Sequence, residues 1–496
     1  MNGIMIQGTA SDVGKSLIVT AFCRLLANEG YAVAPFKSQN MSNNSYVTIE
    51  GKEIGRAQGA QAEAARTEAS VWMNPILLKP RSDQHAEVIQ FGTSYRTLSG
   101  KDYRESFYQM GLESIQLALD HLNDAYDVIV MEGAGSPVEV NLKARELVNM
   151  KVAEMADVPV LLAADIDRGG VFASIIGTLE LLEPNERARV KGILINKFRG
   201  DPELFEDGIT WIEERTGLPI VGVLPYVEHH VEGEDSLSIG DRFSTKNGTL
   251  ELAVIQLPFL SNYSDMEPFN EEDVTIRWVQ HARDIGQPDA IIIPGTKSTM
   301  SDLAWLKERG FATYLNDYVK EGGSVVGICG GYQMLTEQLY DEFGSDTGKA
   351  GALEKGIGLI PAKTSFHKEK QTTRVKGTLH PATNALSSIE GYEIHLGQTR
   401  FIDPEDKPFL QLQDRPEGYY REDGRVIGTY LHHLFHNDEW RTIWLNRLRF
   451  KKGHSPQEQV NQKDVKDQTY DDLANQLKPH LKWELIKDIL FQRDHV

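Results

Sequence analysis

Short apolar runs alternate with helical patterns from the first residues onward. Ile4, Met5 and Ile6 make a strand, and Leu17, Ile18, Phe22 and Leu25 recur behind it at helical spacing. Residues 31–36 (YAVAPF) read as a second strand, and the alanine-rich EIGRAQGAQAEAAR as a closely packed helix. Further apolar strands follow at 126–131 (YDVIVM), in VPVLLAADIDRGG and at 193–198 (ILINKF), and PIVGVLPY closes the series near Tyr226. Strands alternating with helices at this spacing predict an α/β fold, a doubly wound, mostly parallel sheet with right-handed crossovers. Residues 228–248 are charged, polar and turn-rich, and a second α/β pattern begins at Glu251 with ELAVIQLP, PDAIIIPGTKST and GSVVGICGGYQML. The chain thus divides into a first domain over 1–228, a linker at 229–248, a second domain over 249–445 and a tail over 446–496. That tail shows a helical pattern at Leu473, Leu477, Leu481 and Leu485 but no chemistry.

Composition narrows the class. At 496 residues the chain exceeds one ordinary core, and 40% apolar with 25% charged residues is a soluble balance. A formal charge of −20 argues against a nucleic-acid partner, which would need clustered Lys and Arg. Only Cys23 and Cys329 occur, so no disulfide framework is built and a reducing compartment fits. The N-terminus runs straight into a strand, and no stretch reaches the ~18 apolar residues of a membrane span. A cytoplasmic protein without membrane or nucleic-acid partners is expected. Nothing in the sequence sets its oligomeric state.

Candidate chemistry starts at GTASDVGKS, residues 8–16, between the first strand and the first helix. Backbone N–H groups of Gly8, Thr9, Asp12, Val13 and Gly14 would cradle a phosphate, Lys15 would supply a point charge, and the Ser16 hydroxyl would hold Mg²⁺. The loop is a variant, because five residues rather than the usual four separate Gly8 from Gly14. KSQNMSNNS places Lys37, Gln39, Asn40 and Asn44 in a polar loop beyond a strand's carboxyl end, where such sheets meet phosphate or substrate. Lys79 in MNPILLKP reads as a snorkelling surface charge. Glu132, ending the YDVIVM strand, is the first choice of Mg²⁺ ligand; Asp165 and Asp167 occupy the same topological place, so the assignment can be shared or reversed. Asn196 and Lys197 resemble a purine-reading pair, but Arg199 stands where a guanine-selective Asp belongs, which makes adenine the default.

The second half carries a candidate nucleophile. Gly327, Cys329 and Gly331 form a glycine-flanked turn between a strand at 324–328 and a helix beginning near Tyr332. Such an elbow exposes the side chain and aims the following N–H groups as an oxyanion hole, and the thiolate is the reactive form. GTYLHHLF offers His432 and His433 as bases; neighbours on a strand point to opposite faces, so only one can reach Cys329. GYEIHLG places Glu393 and His395 on one strand face, available to a substrate or a neighbouring loop.

Together GTASDVGKS, PFKSQNMSNNS, EIGRAQ, MNPILLKP, MEGAGSP, ADIDRGGVFA, PGTKST, GICGGYQML, GYEIHLG and GTYLHHLF occur in an order that resembles the cobyric acid synthases, glutamine-dependent amidases of cobalamin biosynthesis. The resemblance spans about residues 3–440. It implies an N-terminal P-loop-type domain like dethiobiotin synthetase and a C-terminal class I glutamine amidotransferase-like domain. It also implies ATP-dependent amidation of the b, d, e and g carboxylates of adenosylcobyrinic acid a,c-diamide, with L-glutamine as nitrogen donor and ATP and Mg²⁺ required. In that scheme Cys329 attacks the glutamine amide, His432 serves as its acid and base, N–H groups near Gly330 and Gly295 hold the oxyanion, and Glu393 and His395 belong to the glutamine site. Two departures stand out. His433 replaces the glycine usual after the histidine, and Leu434 replaces the glutamate many class I glutaminases carry, so a Cys–His dyad is expected. A cobyrinic acid a,c-diamide synthase-like enzyme is the neighbouring alternative. A partition-type switch ATPase is the distant one, and it leaves the Cys329 elbow idle.

Overall fold

The computed structural model describes residues 1–82, 85–227, 247–383, 387–403 and 407–493, so the linker expected at 229–248 lies almost wholly outside the described residues. The chain folds as two compact units. Met1–Ser42, Lys52–Glu234 and Lys463–Val496 build the first; Asn43–Gly51 and Asp235–Gln462 build the second.

In the first unit a parallel sheet runs in the order Ile220–Pro225, Val190–Phe198, Val160–Asp165, Gly3–Gly8, Val128–Glu132, Val33–Phe36. The strand order reverses around Gly3–Gly8, and the helix Lys15–Asn28 starts there. Gly14 precedes that helix with φ +94°, a conformation open to glycine and costly for other residues. Core positions Ile4, Ile18, Phe22, Val130 and Leu161 are fully or almost fully buried, which is why these strands read as apolar throughout.

Two expectations change. Gln39–Met41 is not loop but a short strand, paired in parallel with Ile76–Ser82 in a small second sheet that His85–Gln90 and Thr93–Ser99 complete. Lys79 does not snorkel: it is 1% exposed and ion-paired with the equally buried Glu53. A lysine is held in such a place only by a partner charge.

The C-terminal tail belongs partly to this unit. Helices Gln462–Leu477 and Trp483–Leu490 lie on its core, with Trp483 edge-on to Phe22 at 5.2 Å and Asp467 bound to the buried Arg24 at 2.5 Å. Lys482 N–H donates to Val221 O at 2.8 Å, so the tail covers the edge strand Ile220–Pro225 that would otherwise offer open backbone groups.

The second unit holds a sheet ordered Val274–Val279, Leu250–Ile255, Ala290–Ile293, Val325–Ile328, Val426–Thr429, Tyr419–Tyr420, parallel except for the last strand. A second sheet carries the long hairpin Ile360–Leu379 and Ser388–Phe401. Among the described residues no helix is long and apolar enough to cross a membrane.

Candidate active sites

The phosphate-type loop of the first unit is held from several sides. Thr9 N–H donates to Ala163 O at 2.9 Å, and Lys15 Nζ donates to Ala10 O and Gly135 O at 3.1 and 3.2 Å. Asn196 Nδ2 donates to Val13 O at 2.8 Å, so this side chain props the loop. Lys197 Nζ donates to Asp12 O and pairs with Asp165 at 2.8 Å, while Arg199 pairs with Asp167 at 3.0 Å and lies over the Tyr226 ring. Both aspartates named as alternative metal ligands are thus tied to cations from the neighbouring strand.

Glu132 is the centre of this site. Its Oε1 accepts from Ser16 Oγ at 2.8 Å and Lys37 Nζ at 2.9 Å, and its Oε2 accepts from Gln61 Nε2 at 2.7 Å. Burial raises the Glu132 carboxyl, but the Lys37 charge and hydrogen bonds from Lys37, Gln61 and Ser16 outweigh it and hold the group below the usual carboxylate range. Gln61 was not singled out in the sequence, where it lies inside an alanine-rich helix. Gln39 Oε1 accepts from Tyr103 Oη at 2.5 Å and Asn40 Nδ2 donates to Gln58 Oε1 at 2.9 Å, so both stabilise the small sheet's surroundings. Ser16 and Glu132 offer hard oxygen donors of the kind Mg²⁺ takes together with phosphate oxygens and water.

In the second unit Cys329 sits between strand Val325–Ile328 and the short helix Gly330–Leu335 at φ +52°, a strained conformation for a non-glycine residue. It is 7% exposed, and its Sγ lies 3.4 Å from Ile394 O. His432 engages Cys329 and is fully buried. The carboxylate missing at Leu434 comes from far upstream: His432 Nδ1 donates to Asp265 Oδ2 at 2.8 Å, and His433 N–H donates to Asp265 Oδ1 at 2.7 Å. Asp265 thus stands behind His432, where the local motif offers no acidic residue. Burial pulls the His432 imidazole down, but Asp265 and Cys329 outweigh it and lift the group to about 10. Asp265 opens the helix Tyr263–Glu271, and its only sequence signal is an aspartate in LSNYSDMEPF just past a strand's carboxyl end.

His433 leaves the strand pattern at φ +65°, which explains the glycine usual there; its ring stacks on His436 at 4.1 Å and meets Tyr392 edge-on at 4.7 Å. Gly295 lies against His432, and Gly330 against Thr296. A Cβ on Gly295 would stand 3.1 Å from His432 Cε1, and one on Gly330 would meet Thr296, so both permit close approach. Glu393 and His395 share a face, 3.9 Å apart, on either side of Ile394. Arg415 binds Glu393 Oε2, Gln371 Nε2 donates to it at 3.2 Å, and His395 Nδ1 donates to Gly397 O at 2.7 Å. Among the described residues, Glu393 Oε1 and His395 Nε2 are buried without a hydrogen-bond partner, two polar atoms available to a ligand beside Cys329.

Glu417 buttresses the strand leading to His432, accepting from Tyr430 N–H and Thr429 Oγ1, both at 2.7 Å. Burial and the nearby Glu393 push its carboxyl up from 4.5 to about 8. Its contribution to stability is therefore full below about pH 4.5 and is lost as pH rises through about 8. Glu417→Gln should flatten the decline in unfolding free energy over that window by an amount on the order of a few kcal/mol. Denaturant titrations at several pH values check this, and an unchanged slope would contradict it.

Two family models match. Residues 4–236 match the CobQ/CobB/MinD/ParA nucleotide binding domain, and residues 251–440 match the CobB/CobQ-like glutamine amidotransferase domain. Cobyric acid synthase of Anoxybacillus flavithermus is 47% identical over 498 residues, covering 99% of this chain and 98% of the relative. The enzymes of Geobacillus thermodenitrificans (46%, covering 99% and 98%) and Desulforamulus reducens (45%, covering 98% of each) align over 495 and 504 residues. Alignment at this coverage takes in most of the C-terminal tail, beyond the limit near residue 440 set by the motifs. A solved structure described as a glutamine amidotransferase covers 40% of this chain and 97% of its own at 15% identity, with a TM-score of 0.31. Nucleotide-binding and glutamine amidotransferase domains follow one another as in relatives matched almost end to end, and the chain accordingly belongs to the cobyric acid synthases, enzymes of the glutamine amidotransferase type.

Proposed function

We propose that this enzyme amidates the b, d, e and g carboxylates of adenosylcobyrinic acid a,c-diamide, using ATP and ammonia released from L-glutamine, in the cytoplasm. The observation that carries the glutaminase half is Cys329 on a strained turn beside a His432 whose Nδ1–H is held by Asp265. Asp265 fixes the tautomer, leaving Nε2 to take the thiol proton. Cys329 Sγ then attacks the glutamine carbonyl, N–H groups at Gly330 and Gly295 take the developing oxyanion charge, and His432 returns the proton to departing ammonia. His432 next activates water to free glutamate. Glu393 Oε1 suits the ammonium group of glutamine, since an unpaired buried carboxylate oxygen favours a cation.

In the first unit Gly8–Ser16 would hold the nucleotide phosphates, Lys15 and Lys37 would offset their charge, and Ser16 and Glu132 would hold Mg²⁺. A bound Mg²⁺ supplies charge neutralisation on the phosphates. The carboxylate, a poor electrophile, takes the γ-phosphoryl group of ATP to give ADP and an acyl phosphate; ammonia attacks its carbonyl carbon, the C–O bond to phosphate breaks, and the amide and inorganic phosphate result. The full-length relatives favour this over a partition-type ATPase. Mass spectrometry of products from each corrin acid tests the substrate. A ladder of amidated products from the a,c-diamide supports the reading; products only from unamidated cobyrinic acid would replace it with the a,c-diamide synthase alternative.

A further inference from the structure

Asn262, 3% exposed, makes two contacts through one amide. Its Oδ1 accepts from Ser45 N–H at 3.1 Å, and its Nδ2 lies 3.2 Å from His432 Nε2. A backbone N–H can only donate, so Oδ1 must face Ser45 and the NH₂ group must face the imidazole. Asp265 takes the Nδ1–H of His432, so in the thiol–imidazole state Nε2 carries a lone pair, whereas in the imidazolium–thiolate state that Asp265 and Cys329 favour it carries a proton. The Asn262 amide therefore donates to the same lone pair that must receive the Cys329 proton. Once Nε2 carries that proton, two donors confront each other.

Ser45 itself is firmly placed. Its carbonyl accepts from Tyr392 Oη at 3.4 Å, and the Tyr392 ring stacks on His432 at 5.2 Å. Arg374 Nε donates to Val47 O at 2.9 Å, and Val47 is buried with Tyr392 and Ile394. Residues 43–51 are thus an element of the second unit, while Lys37–Ser42, next to them in the chain, belongs to the first unit, where Lys37 binds Glu132.

Resting on the reading of His432 as the base of Cys329, we propose that Asn262 restrains the glutaminase and that Ser45 sets the restraint. With Ser45 in place, the amide donor disfavours transfer of the thiol proton to Nε2. With the Ser45 N–H withdrawn, the amide turns about its Cβ–Cγ bond and offers Oδ1, which accepts from the protonated Nε2 and favours the imidazolium–thiolate pair.

Asn262→Asp keeps the acceptor for Ser45 and turns the donor facing His432 into an acceptor. Two readouts follow in the full-length enzyme: glutaminase turnover without ATP or corrin, and the rate of iodoacetamide alkylation at neutral pH. Alkylation reports Cys329, because the only other thiol, Cys23, is fully buried and pushed well up by burial. Both should rise about tenfold, the value of one ordinary hydrogen bond. Asn262→Gly, which suits the φ of +54° at this position, should give a smaller rise without adding charge, and Ser45→Pro, which removes the N–H, a rise of the same sign. A fall or no change in both Asn262 variants would overturn the proposal by showing that the amide supports the base. A gain that persists in the His432→Ala/Asn262→Asp double variant would also overturn it. Undiminished turnover in His432→Ala alone would instead remove the assignment of the base.

Discussion

Cys329→Ala should abolish glutamine-dependent amidation, by at least about a thousandfold, while leaving synthesis supported by high ammonia near the native rate. The asymmetry follows from chemistry. In the proposed mechanism Sγ is the attacking atom, so its removal leaves His432 and Asp265 with no nucleophile to activate. Ammonia from solution needs no thiol. The assay is corrin product formation with glutamine or an ammonium salt as sole nitrogen source, at alkaline pH so that free ammonia is present. Loss of both activities in a folded variant would mean that the two chemistries are not separable, and retention of both would remove Cys329 from the reaction. Alanine at φ +52° carries the same backbone strain as cysteine, so the substitution changes the side chain and little else.

Lys15→Ala should remove amidation with either nitrogen source, by about a hundredfold or more. Lys15 is 7% exposed, and its ammonium is held against Ala10 O and Gly135 O at the loop that would receive a phosphate. Glutaminase turnover should survive, because Cys329, His432 and Asp265 all belong to the other unit. A variant that still makes product from ammonia and ATP would refute the reading of the loop. The pair of variants separates nitrogen release from carboxylate activation, each leaving the other half-reaction measurable.

Much of this was legible in the residues. The parallel strands announce themselves because both their faces are buried, so that Ile4–Ile6, Val128–Met131 and Ala290–Ile293 are unbroken apolar runs. The Cys329 elbow and the phosphate loop are equally visible, since each packs its chemistry into a few consecutive residues around glycines. The small sheet of Gln39–Met41 was not: its strand is three polar or exposed residues, with no alternation to read. Lys79 misled for a related reason, because the charge that permits its burial, Glu53, lies elsewhere in sequence.

The sequence by itself determined the α/β class, the two kinds of domain, the loop that begins the first and the glycine-flanked Cys329 turn of the second, because local pattern and spacing specify them. Only the tertiary structure decided which groups surround those atoms. Asp265 reaches His432 across 167 residues, Glu132 is shared among Ser16, Lys37 and Gln61, and Asn262 joins Ser45 to His432. The physical reason is common to all three. A buried charge or proton-transfer site is completed by whichever partner the fold delivers within hydrogen-bond distance, and chain separation carries no information about that distance.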